Sequence, residues 1–530
     1  MKRGWGPGVL AALVLAASAG LLVYEAWADS LTYDEPRYMR AGYCALTQGV
    51  IDIEPTNPAG FKLLSGIGVL AARPPGAVDC ATTNRVAFFN LSPSALRRLV
   101  VAGRLPIIVI TLLLELGVFL WARALYGAAA GVLALGAAAL EPNLLAHGHL
   151  ATGDMLVSAG TLAALGGVWA HRRRAEPGWL VVAGVGLGLA LLAKVSALLL
   201  LPVLAIIVAL DSGALHRGRV FGLSQLAAVA AVAWLVVCGV YLPFHTEHTP
   251  LQLPALIAPF APPSWVSGVE YQAGHLAGGA HNYLNGEVRV GRGFLTYYLE
   301  AVGLKSTLGL LLLGAAAAAL GLRRRDRVAA LYLWLPALTL FAAASLGAID
   351  IGVRYVLPAY PLAALAAGGL WADGRRARTR ALAAVAVALL AASSLLHAPY
   401  HLGYFNELAG PRPERYLADS NLDWGQDAWR LRDRWAAEGS PALQAVYFGS
   451  VPLAAYGIAA SPAGCDCPSG AEAVSLTQLV VYGTERGFGK GLLACDPGLR
   501  VGTSILWLGA RDRACAGDNL GRSQAAAPVR

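Results

Sequence analysis

What most constrains this chain is a succession of long apolar runs with the charges gathered into short stretches between them. About 20 apolar residues, wound as a helix, cross a hydrocarbon layer about 30 Å thick. Most of these runs approach that length. Composition agrees: of 530 residues, 57% are hydrophobic and only 14% are charged, where a soluble domain carries about a quarter as charges. Mean hydropathy is +0.56. Glycine, at 61 residues, lets neighbouring helices approach closely. The runs do not alternate with period two, so a membrane β-barrel is excluded. The expected fold is an all-α polytopic membrane protein of about eleven transmembrane helices with a C-terminal extracytoplasmic α/β domain.

Run length and flanking charge place spans near 8–24, 99–120, 128–146, 154–170, 178–193, 196–210, 221–243, 301–321, 328–346, 351–370 and 381–397. With Lys2 and Arg3 in the cytoplasm and sides alternating, five basic clusters fall inside: Arg123, His171 to Arg174, Arg217 with Arg219, Arg323 to Arg327, and Arg375 to Arg380. That is the positive-inside pattern. The loops 25–98 and 244–294 and the tail 398–530 then fall outside, with Arg97, Arg98 and Arg104 as outward exceptions. The expected division is 1–397, a transmembrane domain whose first outer loop 25–98 bears the active site, and 398–530, a soluble domain. The first span also reads as a secretory signal peptide, and in either case Asp34 emerges outside. The net charge of +9 sits in these clusters and forms no stripe interleaved with aromatics, so nucleic acid is not an expected partner. In the tail, 423–437 has helical spacing, and Ala445 to Phe448, Gln478 to Tyr482 and Ser504 to Leu508 read as short strands. Cys44 and Cys80 share the first outer loop, and Cys465, Cys467, Cys495 and Cys515 share the tail; clustering outside the cytoplasm suits disulfides, with a metal site as the competing reading of the tail cysteines. Cys238 lies in an apolar run.

Four groups of residues can carry chemistry. Asp34-Glu35 follows the first span directly. Pro36 suits the first turn of a helix that Asp34 can cap; the alternative is a carboxylate pair that works at the outer membrane face. His147-Gly-His149 with Asp154 lies at the outer end of the third span. These residues either bind a divalent metal ion or form a polar hairpin with Asp154 as a cap. Lys194, Lys305 and Arg354 are outward cations beside spans, which either snorkel to the interface or hold a lipid phosphate, Arg bidentately. Asp419-Ser-Asn421-Leu-Asp423-Trp-Gly425-Gln-Asp427 resembles a calcium loop. Its glycine is one position late, and Arg430 stands where the bidentate acid belongs. A helix start near Asp423 is the competing reading.

Taken in order, Asp34-Glu35, Ala146 to Asp154, Gly286-Glu287 before Tyr297 to Thr307, Gly352-Val-Arg-Tyr-Val-Leu-Pro358 and Tyr404 to Gly410 leading into Asp419 to Asp427 resemble the protein O-mannosyltransferase-like branch of the C-type glycosyltransferases, including bacterial members that use polyprenyl-phosphate sugars. The resemblance covers the membrane part and reaches into the tail. It implies many helices, an active site in the first large outer loop, and the first acid of the Asp-Glu pair, here Asp34, as catalytic base with Glu35 as its supporting neighbour. Lys62 matches a lysine of the family's first loop. The chain departs from bacterial relatives at Thr56-Asn57-Pro58-Ala59, where Glu-His-Pro-Pro is common, and at His149, where Arg is common.

The function implied is transfer of a sugar from a polyprenyl-phosphate donor to a hydroxyl of a protein, lipid or glycan on the extracytoplasmic side of the cell membrane. Phosphate is a good leaving group, so the reaction needs a base and positive charge. Asp34 supplies the first in a single inverting displacement. Arg354, Lys194 or Lys305 supplies the second, alone or with a divalent ion, and Lys62, Asp154 and His149 are further substrate contacts. A transporter or flippase of a lipid-linked sugar is the alternative. It shares the spans and cations but lacks support from internal repeats.

Overall fold

The computed structural model describes residues 6–72, 80, 87–211, 219–245, 261–372, 377–462, 473–483 and 499–507. The first half holds α1 (Pro7–Ala28), α2 (Glu35–Gln48), α3 (Gly60–Ala71), α4 (Pro93–Tyr126), α5 (Ala128–Ala139), α6 (Pro142–Gly148), α7 (Asp154–Arg174), α8 (Gly178–Leu191), α9 (Leu200–Leu210) and α10 (Arg219–Tyr241). Then come α11 (Pro263–Gly278), the hairpin β1 (His281–Leu284) and β2 (Glu287–Val290), α12 (Tyr297–Lys305), α13 (Leu308–Arg324), α14 (Leu335–Ser345), α15 (Ala359–Ala372), α16 (Ala377–His397) and α17 (Ala428–Ala437). The tail adds β3 (Leu443–Val446), β4 (Ala460–Pro462), β5 (Ala473–Ser475), β6 (Leu499–Val501) and β7 (Ile505–Trp507).

Among the described residues, four helices are long and apolar enough to cross a membrane: α1, α4, residues 222–241 of α10, and α16. The number is six if the bent pairs α5–α6 (65°) and α12–α13 (116°) each count as one span. The eleven apolar runs therefore do not become eleven long helices. Pro142 starts a new helix after a break, Ser306 interrupts the eighth run, and α8, α9, α14 and α15 have only 11 to 14 residues. Run length senses apolarity and is blind to breaks whose polar groups are satisfied internally. The α12–α13 bend is such a case: Thr307 caps α13 by accepting from Leu310 N (3.2 Å) and donates to Glu141 Oε2 (3.0 Å).

Small residues set the packing distances. A Cβ on Gly160 would meet the Gly186 carbonyl at 2.6 Å, and one on Gly167 would meet Ala183 N at 2.7 Å, so α7 and α8 touch backbone to backbone. Gly42 and Gly66 do the same for α2 and α3. That contact folds the first loop into a compact helical pair, and a Cys44–Cys80 disulfide closes it. The four tail cysteines lie outside the described residues.

Among the described residues the tail forms a five-stranded sheet in the order β4-β3-β5-β7-β6. β3 runs parallel to β4 and β5, and β7 runs antiparallel to β5 and β6. Two of the expected strands are present in part; the third, Gln478–Tyr482, is a π-helical turn, because a short apolar run fits either a strand or a helical turn. The helix expected over 423–437 begins only at Ala428. The tail is fastened to the first loop. Ser30 N donates to Gln426 O (2.9 Å) and Tyr33 N to Trp424 O (2.8 Å). Leu31, Met39 and Phe89 share one apolar cluster with Trp429, Leu443 and Ile505. The two segments therefore lie on the same side of the apolar helices.

Candidate active site

The chain leaves α1 at Ala28, runs through Asp29 to Tyr33, and re-enters a helix at Glu35. Pro36 sits in the first turn of α2, where a missing N–H costs nothing. Asp34 occupies the capping position, yet its side chain makes no cap hydrogen bond. The carboxylate instead accepts from Arg37 Nη2 through Oδ1 and lies 3.5 Å from Arg354 Nη2 through Oδ2. Glu35, one residue on, points into the protein. Its Oε1 accepts from Arg104 Nε (2.8 Å) and Ala151 N (2.9 Å), and its Oε2 accepts from Arg104 Nη2 (2.6 Å), Thr32 N (2.9 Å) and Thr32 Oγ1 (3.1 Å). Burial alone would raise this carboxyl; the Arg104 guanidinium outweighs it and holds Glu35 below its ordinary range.

Asp34 faces a cavity of about 560 Å³, within the range of small-molecule sites. The first loop contributes Arg37, Tyr38, Thr56, Asn57 and Phe61, and the α6–α7 turn contributes Thr152 to Asp154. Lys194, Tyr298, Arg354 and Tyr355 add to the polar wall, while Leu340, Ala343 and Ala344 of α14 make an apolar side. Asp154 accepts from Lys194 Nζ and from Thr152 Oγ1 (2.7 Å). The Lys194 ammonium stands 5.0 Å from the Tyr355 ring. The Arg354 guanidinium lies over Trp424 at 4.3 Å, and its Nε is buried with no hydrogen-bond partner among the described residues, as is the Nε of Arg37. Among the described residues the charged lining is three cations against two carboxylates, which leaves one positive charge for an anion.

Of the candidates named from sequence, Asp34, Asp154, Lys194 and Arg354 come together on this wall, whereas Glu35, Lys62, His147, His149 and Lys305 are not among its lining residues. Lys305 Nζ donates to Leu402 O (2.8 Å) and Asn421 O (2.6 Å) and fastens the tail. Lys62 Nζ donates to the carbonyls of Glu54 and Asn57, and burial brings its pKa down to about 7. His149 belongs to a separate buried cluster, 3.3 Å from Asp29 and 3.4 Å from Glu25. His147 is buried with its ring 6.3 Å from that of Trp424. Among the described residues no three or more His, Cys, Asp or Glu side chains are grouped to hold a metal. His147, His149 and Asp154 do not converge, and Asp154 is already engaged by Lys194. The calcium-loop reading of 419–427 fails too. Asp423 accepts from Thr477 N (2.9 Å) and Gly425 N (3.3 Å), and Asp427 accepts from Thr503 N and Ser504 N (both 2.9 Å) and pairs with Arg430.

Sequence reasoning missed Arg37, Tyr355 and Trp424. Arg37 was within reach, since a basic residue three positions after an acid on a helix is its neighbour. Nothing local marks Trp424.

Residues 96–245 match the profile of the family described as dolichyl-phosphate-mannose-protein mannosyltransferase. The match is to glycosyltransferases and agrees with the enzyme class expected from the motifs. Three solved structures are matched at low identity. ArnT from Cupriavidus metallidurans bound to undecaprenyl phosphate is 18% identical with a TM-score of 0.47, over 76% of this chain and 67% of that one. The Archaeoglobus fulgidus oligosaccharyltransferase in the apo form is 16% identical with a TM-score of 0.46, over 83% of this chain and 59% of that one. The S. cerevisiae protein O-mannosyltransferase Pmt1-Pmt2 complex bound to the sugar donor is 14% identical with a TM-score of 0.33, over 46% and 33%. No curated protein matches the chain.

Proposed function

We propose that this chain transfers a sugar from a polyprenyl-phosphate donor to an acceptor hydroxyl at the extracytoplasmic membrane face, with inversion and with Asp34 as the base. One observation carries the reading: Asp34 sits at a helix start without capping it, and its carboxylate faces a cavity lined by Arg37, Lys194 and Arg354. In this reading the donor phosphate binds Arg354 and Lys194, the sugar fills the polar part of the cavity, and the first prenyl units lie along the apolar side of α14. Arg37 orients Asp34. The acceptor oxygen attacks the anomeric carbon while Asp34 takes its proton. The bond from that carbon to the phosphate oxygen breaks, and the cations receive the second negative charge that develops on the departing phosphate.

The test is transfer of radiolabelled sugar from polyprenyl-phosphate donors by the purified protein in vesicles, offered protein, lipid and glycan acceptors in turn. General-base assistance contributes about 10²–10⁴ in rate, so Asp34→Asn should lose at least about a hundredfold in transfer while it still binds donor. Near wild-type transfer by that variant would overturn the assignment. Movement of intact donor across the vesicle bilayer without transfer would favour a flippase instead.

A further inference from the structure

The tail reaches the active site through a short stretch, Asp419 to Trp424, which the reaction scheme does not use. It docks on the turn that carries Arg354. Ser420 Oγ donates to Ile351 O (2.6 Å), and Asn421 Oδ1 accepts from Val353 N (2.9 Å), so the backbone is held on both sides of Gly352. A Cβ on Gly352 would strike Ser420 Oγ. Asn421 is itself fixed: its Nδ2 donates to Tyr297 Oη (2.8 Å) and its carbonyl accepts from Lys305 Nζ. Asp419 adopts a left-handed φ of 54°, a strained geometry for a residue with a side chain. Its N–H donates to Thr477 Oγ1 (3.0 Å), next to β5.

Trp424 ends this stretch and touches both halves of the site. Its carbonyl accepts from Tyr33 N (2.8 Å), the residue before Asp34. Its indole, only 2% exposed, lies under the Arg354 guanidinium at 4.3 Å. An Arg held on an aromatic face presents its planar fork with little rotational freedom left to lose. The base and the cation are 320 positions apart in sequence (34 and 354), and this one tail residue touches the strands of chain that carry each.

We propose that Trp424 is a positioning residue, with which the tail sets the separation between Asp34 and the cation that holds the donor phosphate. The inference rests on the proposed glycosyl transfer and assigns the tail a part in it. Any substitution keeps the carbonyl, so side-chain variants isolate the ring.

The test uses the full chain in vesicles and two readouts: binding of sugar-free polyprenyl monophosphate, and the donor KM and kcat of transfer. A cation–π contact contributes roughly 0.5–2 kcal/mol, so Trp424→Leu should weaken polyprenyl monophosphate binding and raise the donor KM roughly 2- to 30-fold. Trp424→Phe, which keeps an aromatic face, should stay within about threefold. The decisive measurement is a double-mutant cycle. Because both changes remove the same contact, Trp424→Leu should add little in an Arg354→Lys background. Full additivity, or an unchanged donor KM in Trp424→Leu, overturns the proposal. If Trp424→Leu does not accumulate, Gly352→Ala presses on the same joint through Ser420. A raised donor KM there supports the inference, and an unchanged one overturns it. Loss of transfer to every acceptor in the wild type would instead strike the underlying reading, which polyprenyl monophosphate binding keeps separate.

Discussion

Two adjacent carboxylates with opposite surroundings should respond oppositely to the same change. Glu35→Gln keeps the shape of the side chain and removes its charge. Five donors converge on that carboxylate: Arg104 Nε and Nη2, Thr32 N and Oγ1, and Ala151 N. An amide can accept at one end only, so its NH₂ must face N–H or O–H donors at the other. Removing one partner of a buried ion pair costs about 3–5 kcal/mol. Arg104 keeps its bonds to the carbonyls of Ala26 (3.0 Å), Asp29 (2.8 Å) and Ser30 (2.8 Å), which puts the cost near the lower end, about 3 kcal/mol. That is a large share of the ~5–15 kcal/mol of a typical fold. The expected result is a lower thermal midpoint of the purified protein in detergent, with the transfer rate per folded molecule within a few-fold of wild type. Asp34→Asn should do the reverse, because it removes no cap. The pair Glu35→Leu with Arg104→Met should be less destabilised than either single change, since no lone charge remains. A Glu35→Gln protein that melts like wild type but transfers at least about a hundredfold more slowly would refute the structural role given to Glu35.

Arg354→Lys keeps the charge but loses the planar fork and its fit to Trp424; donor kcat/KM should fall by about 10- to 100-fold, and near-normal kinetics would return Arg354 to a snorkelling role. The Cys44–Cys80 bond closes a loop with a sequence separation of 36, so replacing both cysteines by Ser should lower stability by roughly 2–4 kcal/mol, and non-reducing peptide mapping should recover the linked pair. His401 Nδ1 contacts Glu25 Oε1 at 2.6 Å, in a cluster that also holds His149, Asp29 and Arg430. Burial would lower this imidazole, but Glu25 and the Ser394 carbonyl outweigh it and raise it above its usual value. A folded-state value above the unfolded one gives stability that is fully present below about pH 6.5 and is lost as pH rises through the raised value. The thermal midpoint should therefore fall on the alkaline side, and His401→Gln should flatten that dependence; an unchanged slope in the variant would count against the pairing.

The address of the candidate site was legible because the membrane makes it so. A carboxylate directly after the first apolar run, an acid at the start of a later one, and cations at the same ends of others must lie at one level, and Asp34, Asp154, Lys194 and Arg354 do meet. Which way each points was not legible. Nothing in the sequence distinguishes Lys194, which reaches the cavity, from Lys305, which two carbonyls absorb, because the difference lies in chain segments about a hundred residues away, at Leu402 and Asn421. Asp34 and Glu35 differ by about 100° of helix, and only the position of Arg104 decides which is buried. The β1–β2 hairpin carries a plain signal, Asn285-Gly286, both at positive φ, as a tight two-residue turn requires.

The buried cations themselves separate structure from function by what they leave unused. Arg104 spends its donors on Glu35 and three carbonyls; Lys62 and Lys305 each bind two carbonyls. Such groups are already solvated by the protein, and a phosphate would have to displace those bonds to reach them. Arg354 is different. Against five N–H donors, its one polar contact among the described residues is Asp34 at 3.5 Å, longer than a good charge-assisted bond. Aromatic rings of Trp424 and Tyr355 fix its plane without consuming a donor. A buried guanidinium with open donors suits an anion, which would complete its hydrogen bonds. A phosphate there would also compete with Asp34 for Arg354 and leave the carboxylate freer to accept a proton. In the proposed reading, the same contact holds Asp34 in place before the donor arrives and releases it afterwards.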